Sequence, residues 1–154
     1  QTLPGLYLHG AVGRGKSWLL DGFFQALPIK EKQRLHFHEF FARLHQGMFS
    51  HGECPDPLSS TLDELLDDCR VLCFDELFVS DIGDAMLLGR LFRSLFDEGV
   101  VLVATSNQPP DQLYAGGHNR ERFLPAIAAL QQHMQVVARH LTGSCRRPGF
   151  QVDR

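Results

Sequence analysis

The stretch that decides the fold is Gly10-Ala11-Val12-Gly13-Arg14-Gly15-Lys16-Ser17, which fits the pattern GxxxxGK[ST]. It follows a short apolar run at residues 6–8 and opens a helical pattern over residues 16–26, and this is the strand, loop and helix context that the pattern requires. A chain of this composition contains only about 0.002 such matches by chance. The sequence therefore predicts a phosphate-binding loop.

Each residue type in the loop has a chemical reason to be there. Glycines allow successive backbone N–H groups to turn inward around phosphate oxygens, and the positive end of the following helix points at the same place. Lys16 is predicted to reach the β and γ phosphates, and the Ser17 hydroxyl is predicted to ligate magnesium. We expect all eight residues, Gly10, Ala11, Val12, Gly13, Arg14, Gly15, Lys16 and Ser17, to line the nucleotide site.

A second buried strand supplies the acids that such a loop needs. Residues 71–74 are apolar throughout, as expected of a central strand covered on both faces, and Asp75 and Glu76 follow them. Asp75 is predicted to hold the metal directly or through water, and Glu76 to orient and polarise an attacking water. An acidic pair after a strand is, by itself, more typical of a turn or a helix cap. The loop motif favours the catalytic interpretation.

Asn107 lies at the end of the next apolar strand, residues 100–104, and is followed by Pro109. Ligands bind at the carboxyl ends of parallel strands, so this side chain is placed to contact the γ-phosphate or the water. The alternative is that residues 105–107 simply turn the chain.

Composition limits the function classes. The chain has 154 residues, 15 Lys and Arg against 18 Asp and Glu, a formal net charge of −3 and 44% hydrophobic residues. This balance is typical of one soluble globular domain and argues against disorder and against a strongly basic nucleic-acid-binding chain. No apolar window of about 20 residues and no signal-type N-terminus is present, so a cytoplasmic setting is expected. Short apolar runs alternate with helical patterns, which predicts an α/β fold in three layers around a parallel sheet.

The local patterns make further predictions. Residues 35–38 alternate like a second strand, with His36 and His38 on one face, where satisfied histidines are favoured over a zinc site. Phe40 and Phe41 begin a helical stripe, for which core packing is favoured over a role in gripping a substrate. A capping box at residues 61–64 is predicted to open the next helix, and residues 120–133 to form the last one.

The sequence resembles AAA+ ATPases, and more narrowly the ZapE-like family of bacterial cell-division ATPases and their mitochondrial relatives, over residues 5–137. The loop and the acidic strand end are common to AAA+ proteins, whereas other segments are more specific. These are residues 5–10, 36–38, 71–76, 79–82, 84–88, 104–107, 113–114 and 120–125.

The resemblance implies a five-stranded parallel sheet in the order 5-1-4-3-2, with ATP and Mg²⁺ as cofactors. It implies that Asn107 is the sensor of the γ-phosphate and that Arg120 is the arginine finger which reaches a neighbouring subunit's nucleotide. Arg122 is the competing candidate, because two arginines two residues apart cannot be ranked from sequence. Such an enzyme hydrolyses ATP at the interfaces of a homo-oligomeric ring.

The resemblance also implies a protein substrate that is remodelled, the tubulin-like protein of the division ring, at the division site or the inner membrane face with peripheral membrane association. Residues 1–154 are interpreted as a single AAA+ core that is shorter than its relatives at both ends and lacks their helical lid. Weak nucleotide binding and little hydrolysis are therefore expected from these residues alone.

Other functions remain as alternatives or are disfavoured. A GTPase is disfavoured because the chain has no NKxD-type segment, and a small-molecule kinase because Glu76 beside Asp75 favours activation of water. Two alternatives stay open: a DNA-associated helicase loader, which would bind single strands with a steep salt dependence, and a nucleotide-dependent scaffold with negligible hydrolysis.

Overall fold

The computed structural model describes residues 4–10 and 15–138, which form alternating strands and helices. In chain order these are β1 (Gly5–His9), α1 (Gly15–Ala26), β2 (Lys32–His36), α2 (Phe37–Ser50), α3 (Pro57–Leu65), β3 (Val71–Asp75), α4 (Ile82–Asp97), β4 (Val101–Ser106), α5 (Leu124–His133) and β5 (Met134–Ala138), with single 3₁₀ turns at Pro110–Gln112 and Arg120–Arg122. None of the helices in these ranges combines the length and the apolar character of a membrane span.

The five strands form one parallel sheet in the order β2-β3-β4-β1-β5. This confirms the predicted order and the predicted fold class. Because all the strands run the same way, their carboxyl ends share one edge of the sheet. That edge carries the loop after β1, the acidic pair at the end of β3 and the polar residues at the end of β4.

Helices cover both faces of the sheet, and the two faces are unequal. The larger core joins α2, α3, α4 and α5 to Leu72 and Phe74 of β3. The smaller core packs Leu20 of α1 against Val71, Cys73 and Val103. Residues 71–74 are fully apolar because alternate side chains enter different cores, as predicted for a central strand.

The second strand ends two residues earlier than predicted. His36 closes β2 and His38 lies in the first turn of α2, so the prediction that both share one strand face is wrong. Phe37 and Phe40 begin the helix because each packs on Phe74, with ring centroids 5.3 and 5.0 Å away. Tertiary packing here outweighs the local alternation.

The predicted core role of Phe40 and Phe41 is confirmed, since both side chains are buried. Phe49, near the end of α2, does not belong to this buried stripe, because it is 88% exposed.

The start of α3 also differs from the prediction. The Asp56 side chain accepts a hydrogen bond from the backbone N–H of Ser59, and Pro57 occupies the first turn. Thr61 is inside the helix, where its hydroxyl donates to the Pro57 carbonyl at 2.8 Å. The capping box at residues 61–64 is therefore wrong, because the nearby Asp-Pro pair is the stronger start signal.

The last predicted helix is two elements. A 3₁₀ turn at Arg120–Arg122 precedes α5, which begins at Leu124. Pro125 explains the break, because its ring would clash with the carbonyl four residues earlier in a continuous helix. The last strand is Met134–Ala138, and the Asp81 side chain caps α4 by accepting from the N–H of Asp84 at 2.8 Å.

Candidate nucleotide-binding site

The phosphate-binding loop joins β1 to α1. Gly10 donates its N–H to the Ser106 carbonyl at 3.2 Å, which ties the start of the loop to the end of β4. Gly15 begins α1, followed by Lys16 and Ser17. The predicted ligands Ala11, Val12, Gly13 and Arg14 lie outside the described residues.

Lys16 folds back toward the start of the loop. Its Nζ donates to the Gly10 carbonyl at 3.1 Å, and its side chain is only 6% exposed. Burial lowers the pKa of Lys16 from its usual 10.5, whereas the negative charge of Glu76 acts in the opposite direction. An ammonium group withdrawn from water in this way gains most from an anionic ligand such as a phosphate.

Asp75 ends β3 on the side that faces α1. Its carboxylate pairs with Arg34 of β2 through two contacts, Nε to Oδ2 at 2.9 Å and Nη2 to Oδ1 at 3.4 Å. The same guanidinium donates to Asp21 of α1 at 2.8 Å. Sequence reasoning did not identify Arg34, although an arginine one strand away from a predicted metal-binding acid is a usable signal.

Glu76 adopts a left-handed backbone conformation, with φ of 62°. Its N–H donates to the Thr105 hydroxyl at 3.0 Å, so β4 fixes the turn that presents its side chain. Oε1 of Glu76 lies 3.0 Å from Nε2 of His36, and the carboxylate is 66% exposed. A non-glycine residue in this conformation costs about 1–3 kcal/mol and is typical of functional sites.

A cleft of about 580 Å³ opens beside Glu76 and includes Asn107. Its walls combine aromatic and polar side chains, and they are formed by His36, Phe37, His38, Phe41, Glu76, Leu77, Phe78, Ser80, Asp84, Ser106, Asn107 and Gln108. The structure thus brings Glu76 and Asn107 to one cavity, as the shared sheet edge predicted.

The chain after β4 is anchored on both sides of Asn107. The Ser106 hydroxyl donates to the Leu77 carbonyl at 2.9 Å, and the buried Tyr7 hydroxyl donates to the Gln108 carbonyl at 2.8 Å. Sequence reasoning did not identify the contributions of Tyr7, Thr105 and Ser106, because apolar strand patterns give no sign of the hydrogen-bond partner of a buried hydroxyl.

Arg120 is held away from this cleft. Its Nε donates to the Leu113 carbonyl at 3.1 Å and its Nη2 to the Asp111 carbonyl at 2.5 Å. Arg122, the competing candidate, is exposed. Within one chain, therefore, neither arginine lines the cavity that contains Glu76 and Asn107.

Oxygen donors at the sheet edge fit a magnesium ion. The Ser17 hydroxyl and the Asp75 carboxylate are the hard ligands that Mg²⁺ takes when substrate phosphates and water complete its shell. Among the described residues, His, Cys, Asp and Glu side chains form no group of three or more that could hold a metal. The site therefore leaves most of the coordination shell to phosphate oxygens and water, and we expect it to bind a divalent cation weakly alone and more tightly with a nucleotide.

The three thiols in the described residues, Cys54, Cys69 and Cys73, are free. Cys145 lies outside the described residues. Burial raises the pKa of Cys73 to about 12, so this thiol stays protonated beneath α1.

Comparison with known proteins identifies a family that this chain matches. The model of the AFG1-like ATPase family matches residues 1–143. The cell division protein ZapE of Escherichia coli K12 is 56% identical over 133 residues, which cover 86% of this chain and 36% of that protein. The lactation elevated protein 1 homolog B of Danio rerio is 37% identical over 145 residues, which cover 87% of this chain and 29% of the Danio rerio protein. The chain spans about a third of these relatives.

Solved structures share the fold at low sequence identity. The crystal structure of DnaI has a TM-score of 0.62 at 20% identity and covers 90% of this chain and 74% of DnaI. Domain III of the Thermotoga maritima replication initiation protein DnaA has a TM-score of 0.61, also at 20% identity, over 87% of this chain and 53% of that one. These likenesses show the P-loop architecture of AAA+ domains and no more than the fold.

Proposed function

The chain belongs to the AFG1-like ATPase family, and from this premise we propose that it binds ATP with Mg²⁺ and hydrolyses the bond between the β and γ phosphates at the carboxyl edge of its sheet, giving ADP and phosphate. The observation that carries this proposal is the convergence of Lys16, Asp75 and Glu76 at that edge. Burial has taken the Lys16 ammonium out of water, and the charge of Glu76 acts on it. This arrangement suits a polyanion whose terminal phosphate lies between a cation and a carboxylate.

Binding is assigned to the loop and the first turn of α1. The loop motif implies that backbone N–H groups after Gly10 would surround the phosphates, and Lys16 would contact them as a point charge. Ser17 and Asp75 are the residues that would hold Mg²⁺, which neutralises phosphate charge when it is bound.

Water activation is assigned to Glu76. Its carboxylate is exposed to the cleft and its backbone is fixed by Thr105, so it can accept a proton from a water aligned with the γ-phosphate. Asn107 borders the same cleft and is proposed to contact the γ-phosphate or that water. This division of roles gives hydrolysis, because water is the acceptor next to the carboxylate.

The complete site is proposed to form between copies in a homo-oligomeric ring. Residues 53–76 carry eight acids and one base, whereas residues 118–154 carry six bases and two acids, so opposite charges can meet at an interface. We propose Arg120 as the finger. Two of its five N–H donors are held by backbone carbonyls, which pre-organises the rest for a neighbour's phosphate.

The biological role is proposed from the relative's name. ZapE is called a cell division protein, and we propose that this chain likewise couples ATP turnover to remodelling of a protein partner in division. The partner proposed is the tubulin-like division-ring protein, at the cytoplasmic face of the membrane. The net charge of −3 does not suit nucleic acid as the partner.

A pair of substitutions tests the chemistry. Glu76→Gln should keep nucleotide affinity while lowering turnover by at least about 10²-fold, the loss typical of a general base. Lys16→Ala should lower nucleotide affinity itself. Affinity is measured by titration of a fluorescent ATP analogue, and turnover by phosphate release from purified protein.

Two outcomes would contradict the proposal. Equal phosphate release by wild type and Glu76→Gln would remove Glu76 from water activation. Because residues 1–154 alone are expected to hydrolyse little ATP, release is also measured for a protein extended at both ends to the length of the relatives. Nucleotide binding without measurable release by that longer protein would indicate a scaffold that works by assembly.

A further inference from the structure

Arg34 pairs with two carboxylates that belong to two different elements. It lies in β2, and its side chain reaches across the sheet edge to Asp75 at the end of β3 and to Asp21 in α1. Its Nη2 also lies 3.4 Å from the Ser17 carbonyl. One planar guanidinium therefore joins β2, β3 and the helix that follows the phosphate-binding loop.

We propose that Arg34 is a positioning residue that neutralises Asp75 and Asp21 while no cation is bound and releases part of the Asp75 carboxylate to the cation of the nucleotide. The inference rests on the nucleotide site proposed above. It adds a residue that acts through Asp75, without itself contacting the reacting atoms.

The contacts are those of an ion that is partly withdrawn from water. Side-chain exposure is 21% for Arg34 and 17% for Asp75, but 58% for Asp21. Charge-assisted, forked contacts of this kind fix a carboxylate more firmly than an exposed ion pair does. Asp75 is thereby held in one orientation before any ligand arrives.

The two contacts to Asp75 differ in length. Nε to Oδ2 is 2.9 Å, whereas Nη2 to Oδ1 is 3.4 Å. Oδ1 is thus the oxygen less committed to Arg34. A divalent cation bound to the same carboxylate competes with the guanidinium, because two positive groups that contact one carboxylate repel each other. Cation binding and the Arg34 pair must therefore be coupled.

The first test needs no nucleotide. Binding of Mn²⁺ alone is measured by the loss of the free-ion electron paramagnetic resonance signal in wild type, Arg34→Gln and Arg34→Lys. Removing the guanidinium leaves two uncompensated carboxylates, so Arg34→Gln should bind Mn²⁺ about tenfold more tightly than wild type. A lysine pairs with one carboxylate at a time, so Arg34→Lys should bind about threefold more tightly.

Two matched variants complete this test. Arg34→Gln combined with Asp75→Asn should return to the wild-type Mn²⁺ affinity, since the carboxylate that gained the ion is gone. Arg90→Gln removes an exposed arginine of α4 and should change nothing. If Arg34→Gln does not unfold cooperatively, Arg34→Lys decides the question. Equal Mn²⁺ affinity in wild type and the Arg34 variants would overturn the proposal.

A second measurement separates this inference from the function on which it rests. The Kd of ADP is measured in EDTA and in Mg²⁺, and the Kd in EDTA divided by the Kd in Mg²⁺ reports the coupling of metal to nucleotide. In Arg34→Gln the Kd in EDTA should increase more than the Kd in Mg²⁺, so this ratio should rise about tenfold. An unchanged ratio in a variant that binds ADP overturns the inference, whereas loss of ADP binding by wild type itself would overturn only the proposed function.

Discussion

Asp75 and Glu76 are neighbours in sequence, but they occupy opposite kinds of environment. The Asp75 carboxylate is 17% exposed and held by a guanidinium that is itself tied to α1. The Glu76 carboxylate is 66% exposed, and the contact that the structure gives it is His36 at 3.0 Å. One acid is therefore fixed before the ligand arrives, and the other faces an open cleft.

This difference fits the tasks proposed for the two acids. A metal ligand is useful only in one orientation, and the cost of ordering it is met when the protein folds. A group that activates water must stay accessible until the substrate and its neighbours close the site. The proposed second copy would therefore contribute at the open side, which is the cleft beside Glu76.

The largest effect should come from what a second copy adds to the open side. Arg120→Ala should lower turnover by at least about 10³-fold, because an arginine finger stabilises charge on the transferred phosphoryl group. Nucleotide affinity should hardly change. Phosphate release is measured for the variant alone and for mixtures with Glu76→Gln subunits, in which each variant supplies what the other lacks.

The mixture also distinguishes the two arginines. Arg120→Ala mixed with Glu76→Gln should recover part of the wild-type rate, whereas Arg122→Ala should be active alone. If instead Arg122→Ala is inactive and is rescued in mixtures while Arg120→Ala is not, Arg122 is the finger. The carbonyl contacts of Arg120 would then serve only to hold the segment before α5.

A smaller effect should follow from loosening the turn that presents Glu76. Thr105→Val removes the hydroxyl that accepts the Glu76 N–H at 3.0 Å. The left-handed turn then loses its support, and turnover should fall about tenfold, which corresponds to about 1.4 kcal/mol in the barrier. Nucleotide affinity should stay within about threefold, because the Lys16 and Asp75 side is untouched.

Thr61→Val is the matched control for Thr105→Val. Thr61 is as buried as Thr105, and its hydroxyl donates to the Pro57 carbonyl within α3. Neither residue lines the cleft beside Glu76. Urea unfolding should show a comparable loss of stability in both variants, about 1 kcal/mol. A tenfold loss of turnover in Thr61→Val as well would mean that general destabilisation, not the Glu76 turn, lowers the rate.

Sequence patterns predicted the features of this molecule that are formed by consecutive residues. The loop motif located Lys16 and Ser17, and the apolar run before Asp75 located the central strand. Both signals are local, because phosphate binding needs consecutive backbone N–H groups and a central strand needs consecutive apolar residues. The sheet order came from the family resemblance, and not from periodicity.

What the patterns missed depends on contacts between distant residues. Arg34 lies 41 residues from Asp75, and Tyr7 lies 101 residues from Gln108. Nothing near either residue in sequence marks its partner. The end of β2 was misplaced for the same reason, since Phe37 turns helical in order to pack on Phe74.

The smallest effect should come from the tether beneath Asn107. The Tyr7 hydroxyl is buried and donates to the Gln108 carbonyl at 2.8 Å, and burial raises the pKa of Tyr7 to about 12, so the hydroxyl donates throughout the neutral range. Tyr7→Phe should lower the free energy of unfolding by about 1 kcal/mol, measured in urea, because the half-buried Gln108 carbonyl loses its donor. Turnover should fall less than about threefold, since Ser106 still holds the chain before Asn107. A tenfold fall in turnover would show that the position of Asn107 depends on this single buried hydroxyl. Asn107 would then need to be held as firmly as Asp75 is, although it borders the open cleft.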